Sequence, residues 1–179
     1  RALAPARACY VPLRHGGAVV EVDGQGGLAL DAPPANYDQV GFDDAIEVLK
    51  PLFEDASVLK IGHNLKYDSH VLMRPVNGGI RLAPVDDTMC LSYVLDAGRV
   101  SGHSMDNLAG HWLDHSTIKY EDVCGKGAKQ VPFGSLAPEA ALDYAAEDAD
   151  ITLRLWQMLR PRLATEGMTS VYELSLIHI

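Results

Sequence analysis

The chain has 179 residues, 47% of them apolar and 22% charged, and a net charge of −9. This is the composition of a single globular domain. The acidic balance argues against a tight, non-specific duplex binder, which would carry a basic face, and no stretch is long and apolar enough for a transmembrane helix.

In chain order, Ala8 to Leu13 (ACYVPL) predicts a short strand. Gly16 to Gln39 is rich in Gly, Pro and Asp and predicts a surface loop, with room for a weak hairpin. Phe42 to Phe53 predicts a helix with Asp43 or Asp44 as cap, Ile46, Leu49 and Phe53 at helical spacing, and a kink at Pro51. Val58 to Gly62 predicts a buried strand, followed at once by a helix over Asn64 to Met73 that ends before Asn77-Gly78-Gly79. Val85-Asp86-Asp87 is a short strand, and Asp87 caps a helix over Thr88 to Leu95. After a turn from Asp96 to Gly102, Met105 to Leu113 predicts another helix. Lys119 to Gln130 predicts a mobile loop with CGKGAKQ at its tip; this tip lacks the spacing and the Ser/Thr of a phosphate-binding P-loop. Pro138 to about Leu163 predicts a long helix opened by proline in its first turn. Alternating helices and strands make the class α/β. The final LSLIHI has no pattern of its own.

Cys9, Cys90 and Cys124 are scattered and form no C-x-x-C pair. They read as thiols of a reducing compartment, which suggests a cytoplasmic protein. No signal peptide is visible. The chain opens with Arg1, so the expectation is an internal piece of a longer gene.

Two helices share an oddity. In GHNLKYDSHVLM, the arc of Leu65, Tyr67, Val71 and Leu72 has Asp68 in its middle, beside Asn64, while Lys66, Ser69 and His70 take the polar side. In LDYAAEDADITLRLW, Tyr144, Asp148, Ile151 and Leu155 follow spacings of four, three and four, which is one helix face. Ala141, Ala145, Thr152, Trp156 and Leu159 extend that face, and Asp143, Glu147, Asp150 and Arg154 gather opposite. An inward carboxylate is costly unless it is paired or binds a metal. Two of them repel unless a cation lies between. Magnesium or manganese takes oxygen ligands and uses few carboxylates plus substrate phosphate. Two such metals can hold the attacking and leaving oxygens of a phosphodiester displacement, with a tyrosine orienting the water. Taken singly, each aspartate reads rather as a half-buried group satisfied by backbone amides or lysines. Taken together, with Asn64 and Tyr144 alongside, they favour a metal-assisted hydrolase. The remaining signals are plainer: Trp112 and Trp156 read as core, His63 as a substrate contact or a local hydrogen-bonding group, and Lys126 and Lys129 as nucleic-acid contacts or as part of a solvated loop.

GHNLKYD and YAAEDAD resemble the second and third exonuclease motifs of the proofreading domain of bacterial DNA polymerase I. VDDTMCLSYVL, HSMDNLAGHWLDH, TIKYEDVCGKGAKQ and FGSLAPEAALDYAAEDADITLRL follow that family in order and spacing. The resemblance runs from about Ala8 to Glu173, so the expected organisation is an exonuclease domain over residues 1–173 with a tail at 174–179. It implies a ribonuclease H-like fold, a mixed sheet flanked by helices. It implies catalytic roles for Asp68, Tyr144 and Asp148, with Asp68 and Asp148 as ligands of Mg2+ or Mn2+. Asn64, Tyr67 and Tyr120 match residues along the path of a single-stranded DNA 3′ end, and His63 stands where glutamine is often found. The implied partner in the parent chain is a polymerase domain. The family's first motif, Asp-x-Glu on the opening strand, is absent, so the first strands are expected to be missing. Two other functions compete: an inactive structural module of the same fold, and a ribonuclease D-like RNA exonuclease. Retention of Asp68, Tyr144 and Asp148 disfavours the first; KYEDVCGKGAKQ and MDNLAGHWL disfavour the second.

Overall fold

The computed structural model describes residues 2–16 and 37–177. Most of the predicted Gly/Pro-rich loop, residues 17–36, and the last two residues of LSLIHI lie outside the described part. The fold class is α/β. Two short strands open it, β1 (Ala2–Ala4) and β2 (Arg7–Ala8), paired antiparallel. Further on, β3 (Lys60–Gly62) and β4 (Val85–Asp87) pair in parallel, with Gly62 opposite Asp87. Among the described residues these are two separate two-stranded sheets.

Eight helices complete the described chain: α1 (Phe42–Glu54), α2 (Leu65–Met73), α3 (Thr88–Asp96), α4 (Met105–Leu113), α5 (Tyr120–Cys124), α6 (Pro138–Leu159), α7 (Arg162–Thr165) and α8 (Thr169–Ile177). Short 3₁₀ turns stand at Pro75–Asn77, Gly127–Lys129 and Phe133–Ser135. The long helix α6 is the spine: α3, α4, β1, β2 and β3 all pack on it. Leu91, Leu95, Leu159, Leu163 and Tyr172 form one buried cluster from α3, α6, α7 and α8. Leu108, Ala109, Ile151 and Leu155 form a second between α4 and α6. Each fully buried Leu or Ile of this kind stabilises by about 1.5–3 kcal/mol.

Several expectations are corrected. ACYVPL is not a strand beyond Ala8. Pro12 lacks an N–H for a ladder. His15 is buried; its N–H donates to Gln39 Oε1 at 2.9 Å and its carbonyl accepts from Gln39 Nε2 at 2.9 Å. The strand β3 is shorter than Val58–Gly62. Lys60 is buried within it, its ammonium spent on the Asp55 and Ala83 carbonyls. α1 begins at Phe42 without a side-chain cap, so Asp43 and Asp44 lie in its first turn, where they favour the positive end of the helix dipole. The Lys119–Gln130 segment is not a bare loop but carries α5 and a 3₁₀ turn. α6 stops at Leu159, and a new helix begins after Pro161, because proline's missing N–H breaks the ladder. LSLI of the tail continues α8.

Candidate functional site

The turn between β3 and α2 carries the first half of the site. Gly62 admits no side chain here: a Cβ would come within 2.3 Å of Leu65 Cδ2. His63 turns inward, with Nδ1 at 2.8 Å from Thr88 Oγ1 and Nε2 buried without a hydrogen-bond partner. Burial lowers the His63 pKa, against the opposing charges of Asp87 and Asp106, so the ring stays neutral. Asn64 is exposed and left-handed, at φ 61° and ψ 44°. In α2 only Leu65 of the predicted apolar arc is buried; Tyr67 is 69% exposed and Val71 36% exposed. That arc therefore faces outward from Tyr67 on, and is not a core face. Asp68 also reaches solvent, yet partial burial raises its carboxyl pKa, and the charge of Asp87 adds to the rise.

The second half lies on α6. Ile151 and Leu155 are fully buried, while Tyr144 and Asp148 are half-buried one turn apart, at the edge of the same face. Burial pushes the Asp148 carboxyl up to about 6; the Tyr144 hydroxyl donates to it and pulls the other way, and the charges of Glu147 and Asp106 add to the rise. Burial and the Asp148 charge push the Tyr144 hydroxyl up to about 12, so Tyr144 remains a donor through the neutral range. The Tyr144 ring is held in an aromatic cluster, 5.8 Å from Phe133 and 6.0 Å from Tyr120 between centroids. Tyr120, at the start of α5, is 39% exposed. Glu147 is not a solvated acid as predicted: it accepts from Ile118 N at 2.7 Å and meets His115 Nε2 at 2.8 Å.

Asp106, on α4, was not singled out in the sequence, yet its charge reaches His63, Tyr144 and Asp148. Lys119 Nζ meets its Oδ2 at 2.8 Å and Thr117 Oγ1 donates to its Oδ1 at 2.6 Å. Burial works against the ionised form of Asp106, but these partners outweigh it and hold the carboxyl below its ordinary value. The pair borders an open cleft of about 320 Å³ lined also by Gly110, Asp114, His115 and Ser116. No local sequence pattern joins Asp106 to Thr117 and Lys119, which lie more than ten residues further on. Among the described residues, no three His, Cys, Asp or Glu side chains gather as a metal site. Asp68 stands on α2 and Asp148 on α6, and with no third such ligand gathered among the described residues the donor set does not by itself fit a two-metal centre.

A family model described as 3′–5′ exonuclease matches residues 12–164. The chain belongs to the 3′–5′ exonuclease family. Its relatives include DNA polymerase I of Rhizobium leguminosarum, 50% identical over 167 residues that make up 93% of this chain and 15% of that polymerase. DNA polymerase I of Pseudomonas aeruginosa is 43% identical over 156 residues, 87% of this chain and 15% of that polymerase. This exonuclease domain thus spans about 15% of the length of these curated relatives. Among solved structures it resembles Brucella melitensis NrnC, with TM-score 0.56 and 26% identity over 71% of this chain and 57% of that one. NrnC with bound Mg2+ matches with TM-score 0.54. Among the described residues of the exonuclease domain, no helix is long and apolar enough to cross a membrane.

Proposed function

We propose that, within its full-length protein, this exonuclease domain removes 3′-terminal nucleotides from single-stranded DNA ends made by an attached polymerase domain. The observation that carries the reading is the Tyr144–Asp148 pair: a protonated phenol donating to a half-buried carboxylate that is ionised at neutral pH. Such a hydroxyl suits the orientation of an attacking water. The 50% identity to a DNA polymerase I across 93% of the chain supports the parent and the DNA substrate. Asn64, Tyr67 and Tyr120 offer exposed polar and aromatic surface, and base–aromatic stacking is a sequence-tolerant way to hold a single strand. His63, turned under the β3–α2 turn, is proposed to support that surface. Asp68 and Asp148 are proposed as metal carboxylates; the described residues add no third ligand.

The test uses the full-length protein and a labelled single-stranded DNA oligonucleotide with magnesium. Asp68→Ala and Asp148→Ala are each expected to abolish shortening from the 3′ end while primer extension continues. Unchanged digestion by either variant would remove that residue from the site. A matched RNA oligonucleotide digested faster than the DNA would move the substrate to RNA.

A further inference from the structure

We propose that Asp87 is a positioning residue for the exonuclease site, fastening the Asn64–Leu65 turn in the backbone form that presents Asn64, Tyr67 and Asp68. The proposal rests on the function proposed above for those three residues. Asp87 is 1% exposed and ends β4. Its carboxylate accepts four backbone N–H groups. Two are local, Met89 at 2.8 Å and Cys90 at 3.3 Å, and cap α3 in the ordinary way. The other two come from more than twenty residues away: Asn64 N donates to Oδ1 at 3.1 Å and Leu65 N to Oδ2 at 2.7 Å.

One carboxylate therefore caps two helices. α2 has no side-chain cap from its own cap residue, and a helix start leaves N–H groups unsatisfied unless something else accepts them. Asn64 moreover sits in the left-handed region, which asparagine tolerates better than most non-glycine residues, so the Asp87 bonds select among conformations open to this turn. The parallel register brings Gly62 opposite Asp87, so the turn lies directly over the start of α3. Thr88 Oγ1 donates to the Gly62 carbonyl at 3.1 Å and closes the other side. A cap needed only by α3 would not have to reach Asn64 and Leu65. With two oxygens and four donors, Asp87 cannot be matched by asparagine, whose amide group would face N–H donors.

The experiment uses the full-length protein with three readouts: 3′-end removal from a single-stranded DNA oligonucleotide, melting temperature, and peptide-level amide exchange. In the unchanged protein the Asn64 and Leu65 amides are expected to exchange as slowly as those opening α3; exchange at open-loop rates would overturn the clamp without any variant. In Asp87→Asn these two amides are expected to speed up, α6 to keep its protection, and kcat to fall about 10²-fold, the scale set by a misplacement of about 1 Å. Tyr172→Phe is the control for mere stability. Its hydroxyl accepts from Asp87 N at 2.9 Å and donates to Asp86 Oδ1 at 3.1 Å, so its loss lowers the melting temperature but leaves the Asn64 and Leu65 bonds in place. It is expected to keep kcat. If kcat merely follows melting temperature across both variants, or if exchange speeds up in Asp87→Asn with kcat unchanged, the positioning role is overturned. An unchanged protein that lacks 3′-end removal yet protects both amides would fail the proposed function and leave the clamp standing.

Discussion

On α6, Asp148 holds its proton up to about pH 6 because burial and the neighbouring acids disfavour its charge. An unfolded aspartate titrates near 3.9. The folded state thus binds the extra proton between the two values, so the group's contribution to stability is complete below about pH 4 and is lost as pH rises through about 6. Asp148→Asn removes the charge at little cost in shape. It is expected to stabilise the metal-free protein at pH 8 by about 1 kcal/mol once solvent screening is allowed for, read as a higher melting temperature, with no gain at pH 4, and to abolish hydrolysis. A variant that melts lower than the parent at pH 8 would show that Asp148 is a stabilising partner and not a strained one. Tyr144→Phe keeps the ring against Phe133 and loses the donor. Orienting and acid–base groups are worth about 10²–10⁴-fold, so single-turnover hydrolysis is expected to fall within that range, and an unchanged rate would make Tyr144 a packing residue. The four-three-four spacing made Tyr144 and Asp148 legible in the sequence because they share the face of Ile151 and Leu155. Asp106 was not legible: it is exposed on α4, and its importance comes from Lys119 and Thr117, which a local pattern does not bring together.

Among the elements, the helices were read well where periodicity and caps agreed. α3 starts at Asp87 and α4 after Ser104, whose Oγ accepts from Asn107 N; α6 opens on Pro138. The reading failed where tertiary partners decide. At the start of α2 the Asn64 and Leu65 N–H groups donate to Asp87, more than twenty residues away, a partner that no local pattern shows. ACYVPL has strand composition, but Pro12 lacks a ladder N–H, and just beyond the segment the backbone of His15 is bonded to the Gln39 side chain. The join of α7 to α3 was also invisible. There Arg162 grips Asp96, which is 2% exposed, with two bonds of 2.9 and 2.8 Å. Removing one partner strands a buried charge, which costs about 3–5 kcal/mol, so Arg162→Ala is expected to lower stability in urea by that order. Lys126 meets Glu121 at 2.9 Å on the open surface, and Lys126→Ala is expected to change stability by about 0.5 kcal/mol or less. Equal effects from the two variants would mean that the buried position of Asp96 does not decide the cost.

At the scale of the whole molecule, the helical side and the sheet side are unequally built. The α3, α4, α6, α7 and α8 side has two buried clusters. The sheet side, among the described residues, has two separate ladders of two strands, each leaning on α6. A two-stranded sheet is marginal by itself, and unpaired edges invite association with other chains. The candidate site spans this weaker side. Asp68 follows β3, Asp148 belongs to α6, and no third ligand joins either among the described residues. Magnesium demands near-octahedral oxygen coordination, which two carboxylates alone do not supply. The 179-residue chain expressed as written is therefore expected to bind divalent metal weakly and to shorten a labelled single-stranded oligonucleotide slowly, if at all, in manganese. It is also expected to elute from a sizing column partly as larger species. The full-length protein, assayed beside it, supplies the reference rate. A monomeric 179-residue chain that digests at that reference rate would mean that Asp68 and Asp148 hold the metal with ligands that this chain itself supplies.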